Sequence, residues 1–218
     1  MAIAYDLATD FPTTASGTSA TLTGHTVTGT NTVIFVSFYL VGSSDFVTGV
    51  TWAGVSLTQL AKSQLYSNRY HYIYGLVGAA TGANDVVISL SSADQCIRPI
   101  VASYTGVSQT GLPDAVLIQG AGTVTWSISR TTIADNCWMA VRARANNAVA
   151  TTAGGTTRVT TAAGDISLWA DSNAAITPAG SYTISGTCTD SGENAQWAVT
   201  FAPAAAAAAA NHWLLMGV

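Results

Sequence analysis

Apolar and polar residues alternate with a period of two along much of the chain. Val124, Trp126 and Ile128 stand between Thr123, Thr125, Ser127 and Ser129, so apolar groups take one face and hydroxyls the other. Tyr182, Ile184, Gly186 and Cys188 alternate in the same way with Ser181, Thr183, Ser185, Thr187 and Thr189. Trp197, Val199 and Phe201 close the last such run. A strand reads like this when one face meets a core and the other meets water. Residues 32–41 and 99–104 are apolar on both faces, as central strands covered from both sides are. From Arg69 to Val77, Tyr70, Tyr72 and Tyr74 share one face, with Arg69, His71 and Ile73 on the other.

Turn signals rich in Gly, Asn and Pro separate these runs, at residues 52–55, 78–84, 106–113, 120–122, 153–155 and 178–180. The pattern predicts about eleven to thirteen strands and no amphipathic helix. The fold class expected is therefore all-β: a two-sheet antiparallel β-sandwich with jelly-roll or Greek-key topology, over residues 1–203 as one domain. No repeat of fixed period stands out. Residues 204–218 differ from the rest. Seven alanines lead to Asn211, His212, Trp213, Leu214, Leu215 and Met216. Seven residues are too few to hold an isolated helix in water. The segment reads either as a last edge strand folded back on the sandwich or as a tether with an apolar anchor. On the second reading Trp213, Leu214, Leu215 and Met216 are the assembly contact, buried against another copy or a neighbouring protein.

Composition narrows the function classes. Only 8% of residues are charged, against roughly 25% in ordinary soluble domains. Lys62 is the single lysine, Glu193 the single glutamate, and the net charge is −4. The arginines are scattered, whereas nucleic-acid binding needs a clustered basic stripe to neutralise phosphates, so no nucleic-acid partner is expected. No apolar run approaches the roughly 20 residues of a transmembrane helix, no secretory leader precedes the first strand, and no membrane partner is expected. Cys96, Cys137 and Cys188 are odd in number and far apart, and read as buried thiols rather than as disulfides or metal ligands. A surface so poor in charge repels its own copies weakly, which suits a subunit packed in an assembly.

Candidate chemistry is thin. Only His25, His71 and His212 supply an imidazole, and no serine sits in a Gly-x-Ser-x-Gly elbow. The aspartates at 45, 85, 94, 114 and 165 stand where turn and cap residues are expected. Residues 190–194 carry oxygens that Ca²⁺ would accept but lack the full EF-hand pattern, and a polar hairpin loop accounts for them. No catalytic residue, cofactor or metal site is therefore expected. The aromatics are the best candidates for a ligand surface. Tyr70, Tyr72 and Tyr74 share one face, and Trp169 points opposite Ile166, Leu168 and Ala170. Exposed rings would stack on sugar CH groups, although rings at period two are more often core.

Four stretches carry a family likeness: Val50-Thr-Trp-Ala-Gly-Val-Ser-Leu-Thr58, Tyr72-Ile-Tyr-Gly-Leu-Val77, Gly82-Ala-Asn-Asp-Val-Val-Ile-Ser-Leu90, and Ala102-Ser-Tyr-Thr-Gly-Val-Ser-Gln-Thr110 running on to Pro113. Together they resemble a β-sandwich module found in phage virion structural proteins and in bacterial surface or secreted proteins. The likeness is close over about residues 31–115 and loose beyond, and it implies no catalytic residues to carry over. What it implies is a non-enzymatic phage virion structural protein, a capsid decoration or tail-associated subunit, assembled in a host cytoplasm and located in the virion. Its expected partners are other copies of itself and other virion proteins. The alternative is a carbohydrate- or receptor-binding module facing a cell-surface glycan.

Overall fold

The computed structural model describes residues 1–11, 17–42, 44–65, 68–93, 98–111, 113, 115–121, 123–145, 148–161, 166–189 and 194–205. They form seventeen strands, all paired antiparallel, in four sheets. The first half of the chain supplies β1 (Ala4–Asp10), β2 (Ser19–Val27), β3 (Val33–Val41), β4 (Val47–Trp52), β5 (Val55–Ser56), β6 (Thr58–Gln64), β7 (Arg69–Val77), β8 (Gly82–Leu90) and β9 (Ile100–Thr105). The second supplies β10 (Ala115–Ala121), β11 (Thr125–Thr131), β12 (Trp138–Ala145), β13 (Val149–Ala153), β14 (Thr156–Thr160), β15 (Ile166–Asp171), β16 (Ser181–Cys188) and β17 (Asn194–Phe201).

The strand orders repeat. Sheets β1-β9-β3-β7-β6 and β2-β8-β4-β5 belong to the first half, and sheets β10-β17-β12-β15-β14 and β11-β16-β13 to the second. With the two-residue β5 counted as an arm of the β4 hairpin, each half has eight strands. Both halves then read 1-8-3-6-5 in the larger sheet and 2-7-4 in the smaller. The chain is thus two copies of one topology in tandem. The loops between equivalent strands differ in length, so the duplication leaves no fixed period in the sequence.

Three cores order the four sheets into layers. The first lies between the small and large sheets of the first half, with Leu22, Phe38, Trp52, Tyr72 and Ile88 at its centre. The third lies between the corresponding sheets of the second half, with Trp126, Met139, Val141, Leu168 and Ile184. The second joins the two large sheets back to back through Phe35, Tyr104, Trp138, Trp169, Trp197 and Phe201. The expected pair of sheets is corrected to four. Runs apolar on both faces are the physical reason, because a strand in an inner layer has two cores to fill. β3, β12 and β17 are buried along nearly their whole length. Odd residues of β3 (Val33, Phe35) enter the middle core and even ones (Ile34, Val36, Phe38) the first.

The two halves meet as an isologous dimer would. Edge strand β1 of the first half lies beside β14 of the second, and β10 of the second lies beside β6 of the first, the equivalent strand. Val107 and Pro203, equivalent positions just beyond β9 and β17, form an antiparallel bridge. Around it Ser108 N–H donates to the Ala202 carbonyl at 2.9 Å, and Ala204 N–H donates to the Gly106 carbonyl at 2.7 Å. A pseudo-two-fold axis runs through this bridge. Gly106 explains the glycine of the Tyr-x-Gly-Val stretch: φ is +70°, and a Cβ there would lie 2.0 Å from the Ala2 carbonyl oxygen.

Candidate functional site

The tyrosine ladder points inward. Tyr72 and Tyr74 belong to the first core, with Tyr70 half-buried against it. Phe38 stacks on Tyr72 at 5.0 Å and on Tyr74 at 6.0 Å between centroids. The Tyr72 hydroxyl donates to Asp45 at 2.6 Å, and the Tyr74 hydroxyl donates to Gln59 at 3.1 Å. Burial pushes both phenols up, Tyr74 to about 12. Burial also pushes the Asp45 carboxyl up, but hydrogen bonds from Lys62, Tyr72 and the Val47 amide together outweigh it and hold the group below its usual value. Trp169 is fully buried in the middle core, its indole N–H donating to the Tyr104 hydroxyl at 2.7 Å. The expectation that these rings form a ligand platform is corrected for Tyr72, Tyr74 and Trp169, which are core, while Tyr70 is half-buried against it. Tyr66 lies outside the described residues.

His25 stands among groups that resemble a hydrolytic constellation without its wiring. Its Nδ1 is 2.9 Å from the Thr9 hydroxyl and its Nε2 is 3.2 Å from the Ser103 hydroxyl, which donates its proton to Asp6 at 2.8 Å. A serine hydroxyl has one proton. Since Asp6 takes it, Nε2 must be the protonated nitrogen, donating to Ser103, while Nδ1 accepts from Thr9. A general base needs the reverse. The carboxylate here fixes the serine rather than the imidazole, so the cluster ties β1, β2 and β9 together.

Burial pulls His25 down to about 4, only partly opposed by the Asp6 charge. An unfolded histidine titrates near 6.5. Between those values the unfolded chain binds the extra proton, so this contribution to stability is present above pH 6.5 and lost as pH falls towards 4. About 2 kcal/mol should be gone at pH 5. His71, pushed down by burial and by Arg142, Arg144 and Arg69, acts in the same direction. Urea unfolding at pH 7 and pH 5 checks this: the wild-type difference should shrink in His25→Gln, and equal differences would refute the assignment.

The middle core turns polar at one end. From Trp138 the inward positions of β12 run through Ala140 to Arg142 and Arg144, both buried. Arg142 donates to the Ser37 and Arg98 carbonyls and, at 3.0 Å, to the Ser167 hydroxyl. Its guanidinium lies 5.0 Å from the Trp197 ring centroid, and that of Arg144 lies 4.9 Å from Tyr39. Burial pulls Arg142 down to about 9, so it stays charged at neutral pH. The buried ring nitrogens of His71 have no hydrogen-bond partner among the described residues. Sequence reading missed this layer because arginine at period two looks like a solvent-facing strand. The signal was there: Arg142 and Arg144 share a face with Trp138.

Beside the pseudo-two-fold bridge, at the opposite end of the middle core, an open pocket of about 670 Å³ is lined by Ile3, Trp138, Ala174, Ala175, Pro203 and Ala205 among others. A second pocket, lined by Val77, Val107, Ser108, Thr110 and Pro113 among others, holds about 40 Å³. Trp213, Leu214, Leu215 and Met216 lie outside the described residues, which reach Ala205 at the rim of the larger pocket. Cys137 and Cys188 are buried, and Cys96 lies outside the described residues. Among the described residues no three His, Cys, Asp or Glu side chains converge as metal ligands. No helix there is long and apolar enough to cross a membrane. Comparison with protein-family models, curated proteins and solved structures finds no match.

Proposed function

We propose that the protein is a non-enzymatic structural subunit of a phage virion, a capsid decoration or tail-associated protein that acts by packing against its neighbours. The observation that carries this reading is the apolar pocket at the junction of the two halves, lined by Ile3, Trp138, Pro203 and alanines. The body around it commits its polar interior groups to holding layers together. The outer sheet of the second half supports the same reading. Thr125 faces Thr187, Ser127 faces Ser185, Ser129 faces Thr183 and Thr131 faces Ser181, a ladder of hydroxyls with no charge. Such a face repels an identical one weakly. We read each half as a jelly roll, since 1-8-3-6 beside 2-7-4 is that fold's order, with the fifth strand transferred to the larger sheet. Jelly rolls serve in capsids and lectins alike, so the fold supports the reading only by analogy. The glycan-binding alternative rested on four rings of which Tyr72, Tyr74 and Trp169 are buried and Tyr70 is half-buried, and no other observation favours it.

The test is mass in solution against concentration, by light scattering. A multimer is expected, with interfaces above roughly 1,200 Å². A chain that stays monomeric up to millimolar concentration would rule the packing role out.

A further inference from the structure

We infer that the free edge of β11 pairs with the β11 edge of a second copy, joining two outer sheets into one; this gives the packing role proposed above its interface and rests on that role. Sheet edges left regular invite pairing with another chain, and among the described strands this fold blunts all but two of its own. β1, β2, β6, β13 and β14 each slip register against their neighbour, as a bulged strand does, and β5 has only two residues. β10 and β11 run without a slip. β10 lies against β6 of the other half, which leaves β11. The contrast is sharpest with β2, the equivalent strand of the first half, whose slip lies between Leu22 and His25. Two bonds bracket β11: the Cys188 amide donates to the Val124 carbonyl, and the Thr132 amide donates to the Gly180 carbonyl. They commit the even-numbered residues between them to β16. Thr125, Ser127, Ser129 and Thr131 therefore point their N–H and C=O groups away from β16. Among the described residues only the Thr123 hydroxyl meets any of these groups, at the Thr125 carbonyl.

The edge is complementary to itself, as a two-fold contact between copies requires. Paired antiparallel about Ile128, Ser127 of one copy meets Ser129 of the other and Thr125 meets Thr131, so the outward N–H and C=O groups face their counterparts. The uncharged hydroxyl face then continues across both copies. In the same register Trp126 stands across from Arg130. The Trp126 indole N–H and the Arg130 Nε are buried without a hydrogen-bond partner among the described residues, and a guanidinium beside an indole ring is attracted to it. The two Arg130 side chains fall on opposite sides of the axis, about 14 Å apart along the strands and beyond the Debye length of about 8 Å at physiological salt. Val124 and Ile133 stand at the two ends of the strand, 50% and 71% exposed, two of the four large apolar side chains left exposed among the described residues. Antiparallel pairing sets the Val124 end of one copy beside the Ile133 end of the other, so each covers the other.

Sedimentation velocity and disulfide trapping on full-length variants test this. Ser127→Pro removes an amide that faces away from β16, a change an edge strand tolerates. It should leave a folded monomer at concentrations where the wild type is multimeric. Chains carrying Ser127→Cys, mixed with chains carrying Ser129→Cys, should form a disulfide between copies, because opposed residues of such a pair have Cα atoms about 5.5 Å apart. Either cysteine variant alone sets its thiols diagonally, at about 7–8 Å, and should stay largely uncrosslinked. If Ser127→Pro keeps the wild-type mass, the β11 edge is refuted as the interface while packing through another face stands. A mixture that cross-links no more than the single variants refutes the pairing of β11 with itself. A wild type that is itself monomeric refutes both readings. Should Ser127→Pro fail to fold, the cross-linking result decides alone.

Discussion

Replacing Trp197 by alanine should destabilise the protein by about 3–5 kcal/mol, the usual cost of truncating a buried tryptophan. Removing the ring withdraws more than apolar area here. The indole is fully buried in the middle core, and its N–H donates to the Ser37 hydroxyl across the junction of the two halves. His71 meets the ring edge-on at 5.2 Å, and Arg142 lies over its face. The truncated site would leave a buried guanidinium without its aromatic cover, which disfavours collapse of the cavity. Phe should recover much of the apolar term but not the Ser37 bond. Chemical denaturation of Trp197→Ala and Trp197→Phe checks the ranking. Wild-type stability in the alanine variant would mean that the two large sheets do not pack through this ring.

The same region shows how far the fold was legible in the sequence. Residues 32–41 and 99–104 read as strands covered on both faces, and they are inner-layer strands. The hydroxyl alternation around Trp126 and Tyr182 read as a sheet with one wet face, and β11 and β16 form such a sheet. The number of layers was not legible. β17 looked one-sided because Gln196, Ala198 and Thr200 resemble surface residues, yet all three are buried. A short or hydroxyl-bearing side chain fits an inner layer as readily as water, so binary patterning under-counts cores where Ala and Thr do the filling. The duplication was hidden for a related reason. Equivalent strands share burial and direction, not identity: Tyr104 and Phe201, in contact at 4.8 Å, both enter the middle core from the eighth strand of their halves, three residues ahead of Val107 and two ahead of Pro203. For the candidate site, the apolar segment after the alanines was readable, whereas the pocket brings Ile3, Trp138, Ala174 and Pro203 together from distant parts of the chain and so required the fold.

Asp171→Asn should cost about 3–5 kcal/mol, because it breaks a buried ion pair from one side only. Asp171 is fully buried at the end of β15. Arg158 on the neighbouring edge strand donates to it through two nitrogens at 2.8 Å and 2.9 Å. The Tyr104 hydroxyl, from the other half of the chain, donates to the same carboxylate at 2.9 Å, as does the Asn173 amide. The guanidinium also covers Tyr5 of β1 at 4.2 Å, so one carboxylate organises β14, β15 and two strands of the opposite half. Asparagine keeps the shape but offers one acceptor oxygen where four donors converge on two, and it leaves Arg158 partly buried without a counter-charge. Adding Arg158→Met should then restore part of the loss, since removing both partners of a buried pair costs less than stranding one. A double-mutant cycle by urea denaturation measures this, with a coupling of about 1–3 kcal/mol expected. Additive losses would show that Arg158 and Asp171 act separately.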